Sequence, residues 1–157
     1  MELWELTARE RIRDSLARYN WSGDAFHLDE LALAFTADGE LEIGGGGESA
    51  RGRDDIVRLL GGGAPAGNDA ARRAALKEAA SASGVKQIMR HILTNARFLE
   101  LTRDGALVAS YFTVLTELGL DHYGRYRDRF VPVGDEWLIR HRYVSVDWRR
   151  SSGEATS

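Results

Sequence analysis

Three short turn-like segments divide the second half of the chain into long stretches in which apolar and polar residues alternate. The turns centre on Asp104, Gly119 and Gly134, and the Asp-Gly pair at the first of them tolerates the positive φ angles of a tight hairpin. Alternation with a period of two is typical of β-strands that have one buried face. From residue 85 onwards the sequence therefore predicts an antiparallel meander of four strands. The predicted strands are one that includes 89–95, followed by 106–117, 121–133 and 137–148.

The first half of the chain has the residue spacing of helices. Residues 7–10 have the form of a capping box, and apolar residues follow at helical spacing as far as Tyr19. These features predict a helix over about 7–19 that is broken at Gly23. The other predicted elements are a short helix that opens at His27, a strand at 40–43 that the glycines 44–47 end, and a short amphipathic helix at 53–60.

Helices followed by long strands indicate an α+β fold in which a curved antiparallel sheet wraps around the N-terminal helices. Such a fold leaves a concave space, and ligands commonly bind in spaces of this kind. With 157 residues, the chain fits one domain, predicted over 1–150, with the strand at 40–43 available as a fifth strand. The segment 61–86, rich in glycine and alanine, is expected to be a helical insertion or lid, and 151–157 a disordered tail.

Composition and charge exclude several classes of protein. The absence of cysteine excludes disulfides, a thiol nucleophile and Cys-ligated zinc. The net charge of -3 disfavours nucleic-acid binding, although arginines and tyrosines are interleaved at 123–129. No segment has the length and apolarity of a membrane span, and the acidic N-terminus is unlike a signal peptide, so a cytoplasmic location is expected. The four histidines lack the spacing of metal ligands, and neither a metal nor another cofactor is expected.

The predicted strand at 89–95 carries a histidine among apolar residues. A period of two places Met89, His91, Leu93 and Asn95 on one face of this strand. A titratable imidazole on such a face is either a core residue with a hydrogen-bond partner or the base of an enclosed site. Strand alternation alone leaves both interpretations open.

The order of short motifs along the chain resembles the SnoaL-like branch of the nuclear-transport-factor-2-like superfamily. This family has a cone-shaped α+β fold and includes scytalone dehydratase, bile acid 7α-dehydratase and lindane dehydrochlorinase. The resemblance extends over roughly 7–148, without 61–86, and it rests on the order and spacing of the motifs together. The matching stretches are Arg18-Tyr19 with Asp24, then 28–31, 34–39, 51–53, 90–95, 124–129 and 137–142.

The resemblance implies an Asp-His pair at Asp24 and His91. Tyr19 precedes the aspartate at the spacing of the bile acid enzyme, whereas the dehydrochlorinase has a lysine at this place, so Tyr19 favours an oxygen leaving group over a halide. Arg142 matches the arginine on the last strand of the dehydrochlorinase. Strict alternation would place Arg142 on the face opposite to His141, unless a β-bulge changes the parity.

These groups predict a cofactor-independent elimination or double-bond isomerisation of a small hydrophobic, cyclic carbonyl compound. His91 would act as the base and Asp24 would fix its tautomer. Tyr19 would protonate the leaving oxygen or hold the carbonyl, while Asn95 and Arg142 would donate hydrogen bonds to the enolate. The residues expected to shape the pocket are Trp21, Phe26, Phe35, Met89, Leu93, Tyr111 and His122.

Simpler interpretations stand beside this one. Asp24 can be a cap at the helix joint, Tyr19 a core residue, Arg142 a solvated residue of the sheet face, and His122 a strand-end residue facing water. The whole fold can be a non-catalytic domain that binds a small molecule or a protein partner, or an enzyme similar to polyketide cyclases. A homodimer through the exposed sheet face is also expected.

Overall fold

The computed structural model describes residues 1–61 and 88–151. The helices are α1 (Leu3–Asp24), α2 (Leu28–Ala32) and α3 (Arg53–Leu60). The strands are β1 (Phe35–Ile43), β2 (Ser49–Arg51), β3 (Met89–Leu101), β4 (Ala106–Thr116), β5 (Gly119–Val133) and β6 (Glu136–Arg149). Apart from their first residues, Gly61 and Ser151, the predicted lid and the predicted tail lie outside the described residues.

The six strands form one curved sheet in the order β2-β1-β6-β5-β4-β3. The last four strands are the predicted antiparallel meander. The expected fifth strand is present as β1, which runs parallel to β6 and pairs on its other side with the unpredicted β2. Sequence alternation misses the start of β1 because buried and exposed residues do not alternate there, and the register of β1 with β6 shifts between Phe35 and Glu40. The α+β prediction is confirmed, with one parallel pair added to the antiparallel sheet.

Helix α1 begins one turn earlier than its sequence predicts. Glu2 and Glu5 form the capping box, in which the Glu2 backbone N–H donates to Glu5 Oε2 at 2.7 Å. Thr7 lies inside the helix, and its hydroxyl donates to the carbonyl of Leu3 at 3.0 Å. The predicted start at Thr7 is wrong because a glutamate takes the capping position that Ser, Thr, Asp or Asn usually holds.

The other end of α1 continues through Gly23 to Asp24. A Cβ atom at Gly23 would lie 3.0 Å from Leu31 Cδ1, so this glycine lets α2 pack closely against α1 and does not break the helix. Two backbone hydrogen bonds of the Schellman type end the helix, with Phe26 in the left-handed conformation at φ 58°. The extra turn is important because it carries Asp24.

The hairpin between β3 and β4 forms where it was predicted, but for another reason. Neither Asp104 nor Gly105 has a positive φ. The Thr102 hydroxyl accepts hydrogen bonds from the backbone N–H groups of both residues, at 3.3 Å and 3.2 Å. The Thr102 side chain therefore makes this turn, as an ST-type motif.

Helix α1 lies on the concave face of the sheet, where it contacts β6 and β3. Its apolar stripe includes Ile12 and Leu16, which are fully buried and spaced one turn apart. Truncating either residue to alanine would destabilise the fold by about 2–5 kcal/mol. No helix among the described residues is long and apolar enough to cross a membrane.

Candidate functional site

A cavity of about 190 Å³ lies between the end of α1, α2 and the concave face of the sheet. Most of its wall is apolar, from residues such as Phe26, Leu41 and Met89. The polar residues of the wall are Tyr19, Asn20, His91, Thr116, Asp121, His122, Tyr126 and Arg149. An apolar cavity with a few convergent polar groups is the usual form of a small-molecule site.

Asp24 and His91 meet at one side of this cavity. Asp24 Oδ1 lies 2.6 Å from His91 Nδ1, and the backbone N–H of His91 donates to both carboxylate oxygens, at 3.2 Å and 2.9 Å. The backbone bond is available because β3 is the last strand of the sheet, and no other strand of the described residues pairs with its outer N–H groups. The carboxylate therefore holds both the backbone and the ring of His91 in place.

This contact determines which nitrogen of His91 is left without a partner in the described part of the chain. A carboxylate at Nδ1 favours the tautomer that carries its proton there, which leaves the lone pair on Nε2. Within the described residues, His91 Nε2 has no hydrogen-bond partner, while the side chains of His91 and Asp24 are only 18% and 12% exposed. A neutral imidazole with this tautomer can accept a proton from a bound molecule.

Tyr19 lies on α1, one turn before Asp24, and its ring forms part of the cavity wall. It packs edge-on against Phe35 and Tyr126, at centroid distances of 5.8 Å and 6.2 Å. Burial raises the pKa of Tyr126 well above its ordinary value, and the neighbouring Tyr19 raises it further. The two tyrosines are among the polar residues of a mainly apolar wall.

Arg142 lies on the inner face of the sheet and is fully buried beneath the two tyrosines. Its guanidinium lies 4.1 Å from the ring centroids of both Tyr19 and Tyr126. It donates to both carboxylate oxygens of Asp128, at 2.7 Å and 2.8 Å. Burial alone would lower the pKa of Arg142, but the charge and hydrogen bonds of Asp128 outweigh burial and raise it.

A β-bulge explains the position of Arg142. Arg129 pairs with His141 but Phe130 pairs with Ile139, so Arg140 is an extra residue in β6. The extra residue reverses the alternation and turns Arg142 inwards, as a bulge was expected to do. The alternative interpretation of Arg142 as a solvated residue is wrong. Arg142 does not line the cavity, and it reaches the site only through the tyrosines.

Asn95 lies on the opposite side of the sheet from His91. It adopts the left-handed conformation at φ 53° and is the extra residue where the pairing with β4 shifts between Thr94 and Arg97. After this bulge the inward-facing residues are Ala96 and Phe98. The expectation that Asn95 shares the face of His91 is therefore wrong, because strict alternation fails at the bulge.

Three of the residues expected to shape the pocket line it: Phe26, Met89 and His122. Phe35 and Leu93 lie instead in the core beside the cavity. Trp21 is 82% exposed on the outer side of α1, and Tyr111 lies on the outer face of the sheet near Asn95. The four expectations for Phe35, Leu93, Trp21 and Tyr111 are wrong because strand and helix periods do not fix the depth of a side chain.

Sequence reasoning missed five polar residues of the cavity wall: Asn20, Thr116, Asp121, Tyr126 and Arg149. Asn20 lies at the end of α1, and its Oδ1 atom is buried without a hydrogen-bond partner in the described part of the chain. Asp121 Oδ2 lies 2.6 Å from His122 Nδ1. The adjacent Asp-His pair was visible in the sequence, but neighbours in a regular strand point to opposite faces. Within residues 1–61 and 88–151, no three acidic or histidine side chains form a set of metal ligands.

Comparisons with known proteins agree with this architecture. The structure resembles a nuclear-transport-factor-2-like protein of cystatin-like fold from Novosphingobium aromaticivorans, with a TM-score of 0.69, 23% identity and coverage of 98% of this chain and 88% of the other. It also resembles a candidate scytalone dehydratase from the same organism, with a TM-score of 0.66, 22% identity and coverage of 98% and 97%. ActVI-ORFA from Streptomyces coelicolor gives a TM-score of 0.68 at 19% identity and covers 88% and 96%.

At these identities the structural likenesses show the fold alone. No curated protein matches the sequence. The sequence profile of the SnoaL-like domain matches residues 4–143, which is most of the chain. This match agrees with the helices and the curved sheet. The chain belongs to the SnoaL-like domain family.

Proposed function

We propose that this protein is a cofactor-independent lyase or isomerase that acts on a small hydrophobic, cyclic carbonyl compound. The reaction is the elimination of a β-hydroxyl group or the migration of a double bond. The observation that carries the proposal is the contact of 2.6 Å between Asp24 and His91, with His91 Nε2 free at an apolar cavity. The SnoaL-like family includes polyketide cyclases and dehydratases, and both need proton transfer at carbon.

In the proposed reaction, His91 Nε2 removes a proton from the carbon next to the carbonyl. The electrons of the C–H bond move into an enolate, and the charge of Asp24 stabilises the imidazolium that forms. The enolate then collapses as the C–O bond at the β-carbon breaks, and the hydroxyl leaves as water after it receives a proton. Tyr19 either supplies that proton or donates a hydrogen bond to the carbonyl oxygen. A well-placed base of this kind contributes about 10²- to 10⁴-fold to the rate.

The cavity limits the size of the substrate. Its volume is about 190 Å³, and an apolar cavity of about 150 Å³ accepts benzene. One six-membered ring therefore fits inside, and larger substituents would extend through the mouth beside Phe26. Because the wall is mainly apolar, the cavity favours an uncharged ring over a charged metabolite.

A test needs no knowledge of the natural substrate. Exchange of the α-protons of cyclohexanone for deuterium, followed by NMR in D₂O, measures the first proton transfer directly. We expect His91→Gln to slow this exchange by about 10²- to 10⁴-fold, and Asp24→Asn to slow it by at least about tenfold. His141→Gln is the matched control, because His141 pairs with Glu42 and does not line the cavity.

The alternative is a domain that binds small molecules without catalysis. It predicts that cyclohexanone binds but that exchange equals the rate without protein, in both wild type and His91→Gln. That result would overturn the proposed chemistry. An enzyme of the cyclase type would retain the dependence of exchange on His91 but would act on a substrate that forms a new C–C bond.

A further inference from the structure

The cavity contains a second imidazole-carboxylate pair, on the opposite side from Asp24. His122 Nδ1 lies 2.6 Å from Asp121 Oδ2, and their side chains are 19% and 8% exposed. Both residues line the same cavity as His91. The ring of His122 also packs edge-on against Phe112, with a centroid distance of 5.7 Å. Two contacts therefore hold this imidazole, as Asp24 holds that of His91.

A β-bulge makes this second pair feasible. Val114 of β4 pairs with His122, whereas Leu115 pairs with Leu120, so Asp121 is an extra residue in β5. In a regular strand, Asp121 and His122 would point to opposite faces. The bulge lets both side chains face the cavity, and bulges commonly redirect side chains beside active sites.

The strand register also aligns the two histidines. His91 and His122 both pair with Val114, from the two sides of β4. Two strand spacings separate them, so their Cα atoms lie about 10 Å apart along the hydrogen-bonding direction of the sheet. Both histidines line the cavity, so a ring bound there can be reached from both strands.

The argument about the tautomer of His91 applies to His122 as well. The carboxylate of Asp121 at Nδ1 leaves His122 Nε2 as the ring nitrogen that can face a substrate, and this atom has no hydrogen-bond partner within the described residues. When His122 is protonated, the negative charge of Asp121 stabilises the imidazolium and Nε2 carries a proton to donate. The pair therefore suits a general acid.

We infer that the two pairs divide the proton transfers of the elimination, with His91 as the base and His122 as the acid. His91 Nε2 takes the α-proton, and the C–H electrons form the enolate. The β C–O bond then breaks as the leaving oxygen takes a proton from His122 Nε2, which releases water and an enone. Solvent then removes the proton from His91 and returns one to His122. Tyr19 is left to hold the carbonyl oxygen, and Asp121 acts as a positioning residue.

This inference rests on the proposed function. Two probes with different leaving groups test the acid role of His122 separately from the base role of His91. The probes are 3-hydroxycyclohexanone and 3-acetoxycyclohexanone, which both give cyclohexenone. Hydroxide needs a proton in order to leave, whereas acetate leaves without one. We expect His122→Gln to slow the elimination of water by about 10²-fold and that of acetate less than threefold. His91→Gln should slow both reactions and the α-proton exchange.

Asp121→Asn tests the positioning role through the choice of leaving group. The variant keeps the imidazole of His122 but weakens its contact at Nδ1, so the elimination of water should slow by at least about tenfold and that of acetate by less than about threefold. A residue with a purely structural role would lower both rates alike.

Each outcome has a separate meaning. Equal losses on both probes in His122→Gln, with wild-type folding by circular dichroism, would overturn the acid role while leaving His91 as the base. Unchanged elimination and exchange in His91→Gln would overturn the proposed function itself. If wild type accelerates neither probe, both proposals fail for small cyclic ketones. His141→Gln should match wild type in every assay.

Discussion

At the scale of single residues, Arg142 lies beneath the cavity wall and packs against two of its tyrosines. Arg142 is fully buried, forms an ion pair with Asp128 and contacts the rings of Tyr19 and Tyr126. Asp128 holds two of the guanidinium nitrogens, and Nη1 is buried without a hydrogen-bond partner in the described part of the chain. We expect Arg142 to hold Tyr19 in the cavity wall through the contact of its guanidinium with the ring.

Removing this arginine should strongly destabilise the protein. Arg142→Met leaves the Asp128 carboxylate buried without its partner, so the free energy of unfolding should fall by about 3–5 kcal/mol. Urea denaturation followed by fluorescence measures this loss. The double variant Arg142→Met, Asp128→Leu should recover part of the stability because no uncompensated charge remains. Arg125→Met removes an exposed arginine paired with Asp147 and should change stability little; equal losses in both single variants would contradict the argument.

The burial of Tyr126 determines how the stability of the folded protein changes at alkaline pH. Burial raises the pKa of Tyr126 well above its ordinary value of about 10. The unfolded chain therefore ionises this residue first as pH rises, and the folded protein loses stability above about pH 10. The stabilisation is fully present below that pH. Urea midpoints between pH 8 and 11 should fall less steeply in Tyr126→Phe than in wild type, whereas the exposed Tyr123→Phe should follow wild type.

At the scale of elements, the end of α1 retains a residue that the backbone disfavours. Phe26 has a left-handed conformation at φ 58°, in the position of the Schellman motif where glycine is common. Its ring lines the mouth of the cavity while more than half of the side chain is exposed. Strain at a residue that contacts the cavity suggests that the ring is retained for the ligand.

Glycine and alanine at position 26 separate backbone strain from the loss of the ring. Both variants lack the ring, but only glycine removes the strain of positive φ, so Phe26→Gly should be more stable than Phe26→Ala by about 1 kcal/mol. Thermal and urea unfolding of the two proteins measure the difference. Both should bind cyclohexanone more weakly than wild type. Equal stability of the two variants would show that position 26 is not strained in solution.

The bulges mark the limit of what strand alternation predicts in this chain. The meander, its three turns and the family's motif order were readable because they depend on periodicity and turn residues. The inward position of Arg142, the outward position of Asn95 and the pairing of Asp121 with His122 each depend on one extra residue in a strand. An extra residue leaves no signal in alternation, and it changes the face of every side chain that follows.

At the scale of the whole molecule, the helices cover one face of the sheet, and none of the helices in residues 1–61 and 88–151 covers the other. The meander strands expose a set of large apolar side chains on this outer face, namely Ile92, Leu99, Tyr111, Leu115 and Tyr123, with Trp148 stacked on Tyr123 at 5.7 Å. The sequence predicted that this face would be free, because the N-terminal helices suffice to cover only one side of a sheet. It did not predict which aromatic residues lie there, since the bulges alter the alternation.

We propose that this outer face pairs with the same face of a second chain in a two-fold symmetric homodimer. Arginines 97, 125 and 127 lie among the apolar residues of the face, so their repulsion between two copies should be screened by salt, and dimerisation should strengthen from 50 to 500 mM NaCl. Sedimentation equilibrium should give twice the chain mass of 17.4 kDa.

Leu99→Asp with Tyr111→Asp should give the monomer, because a buried carboxylate without a partner opposes association. Leu33→Asp changes an exposed leucine outside the sheet and should remain dimeric. A wild-type protein that sediments as a monomer at 100 μM and high salt would refute the interface.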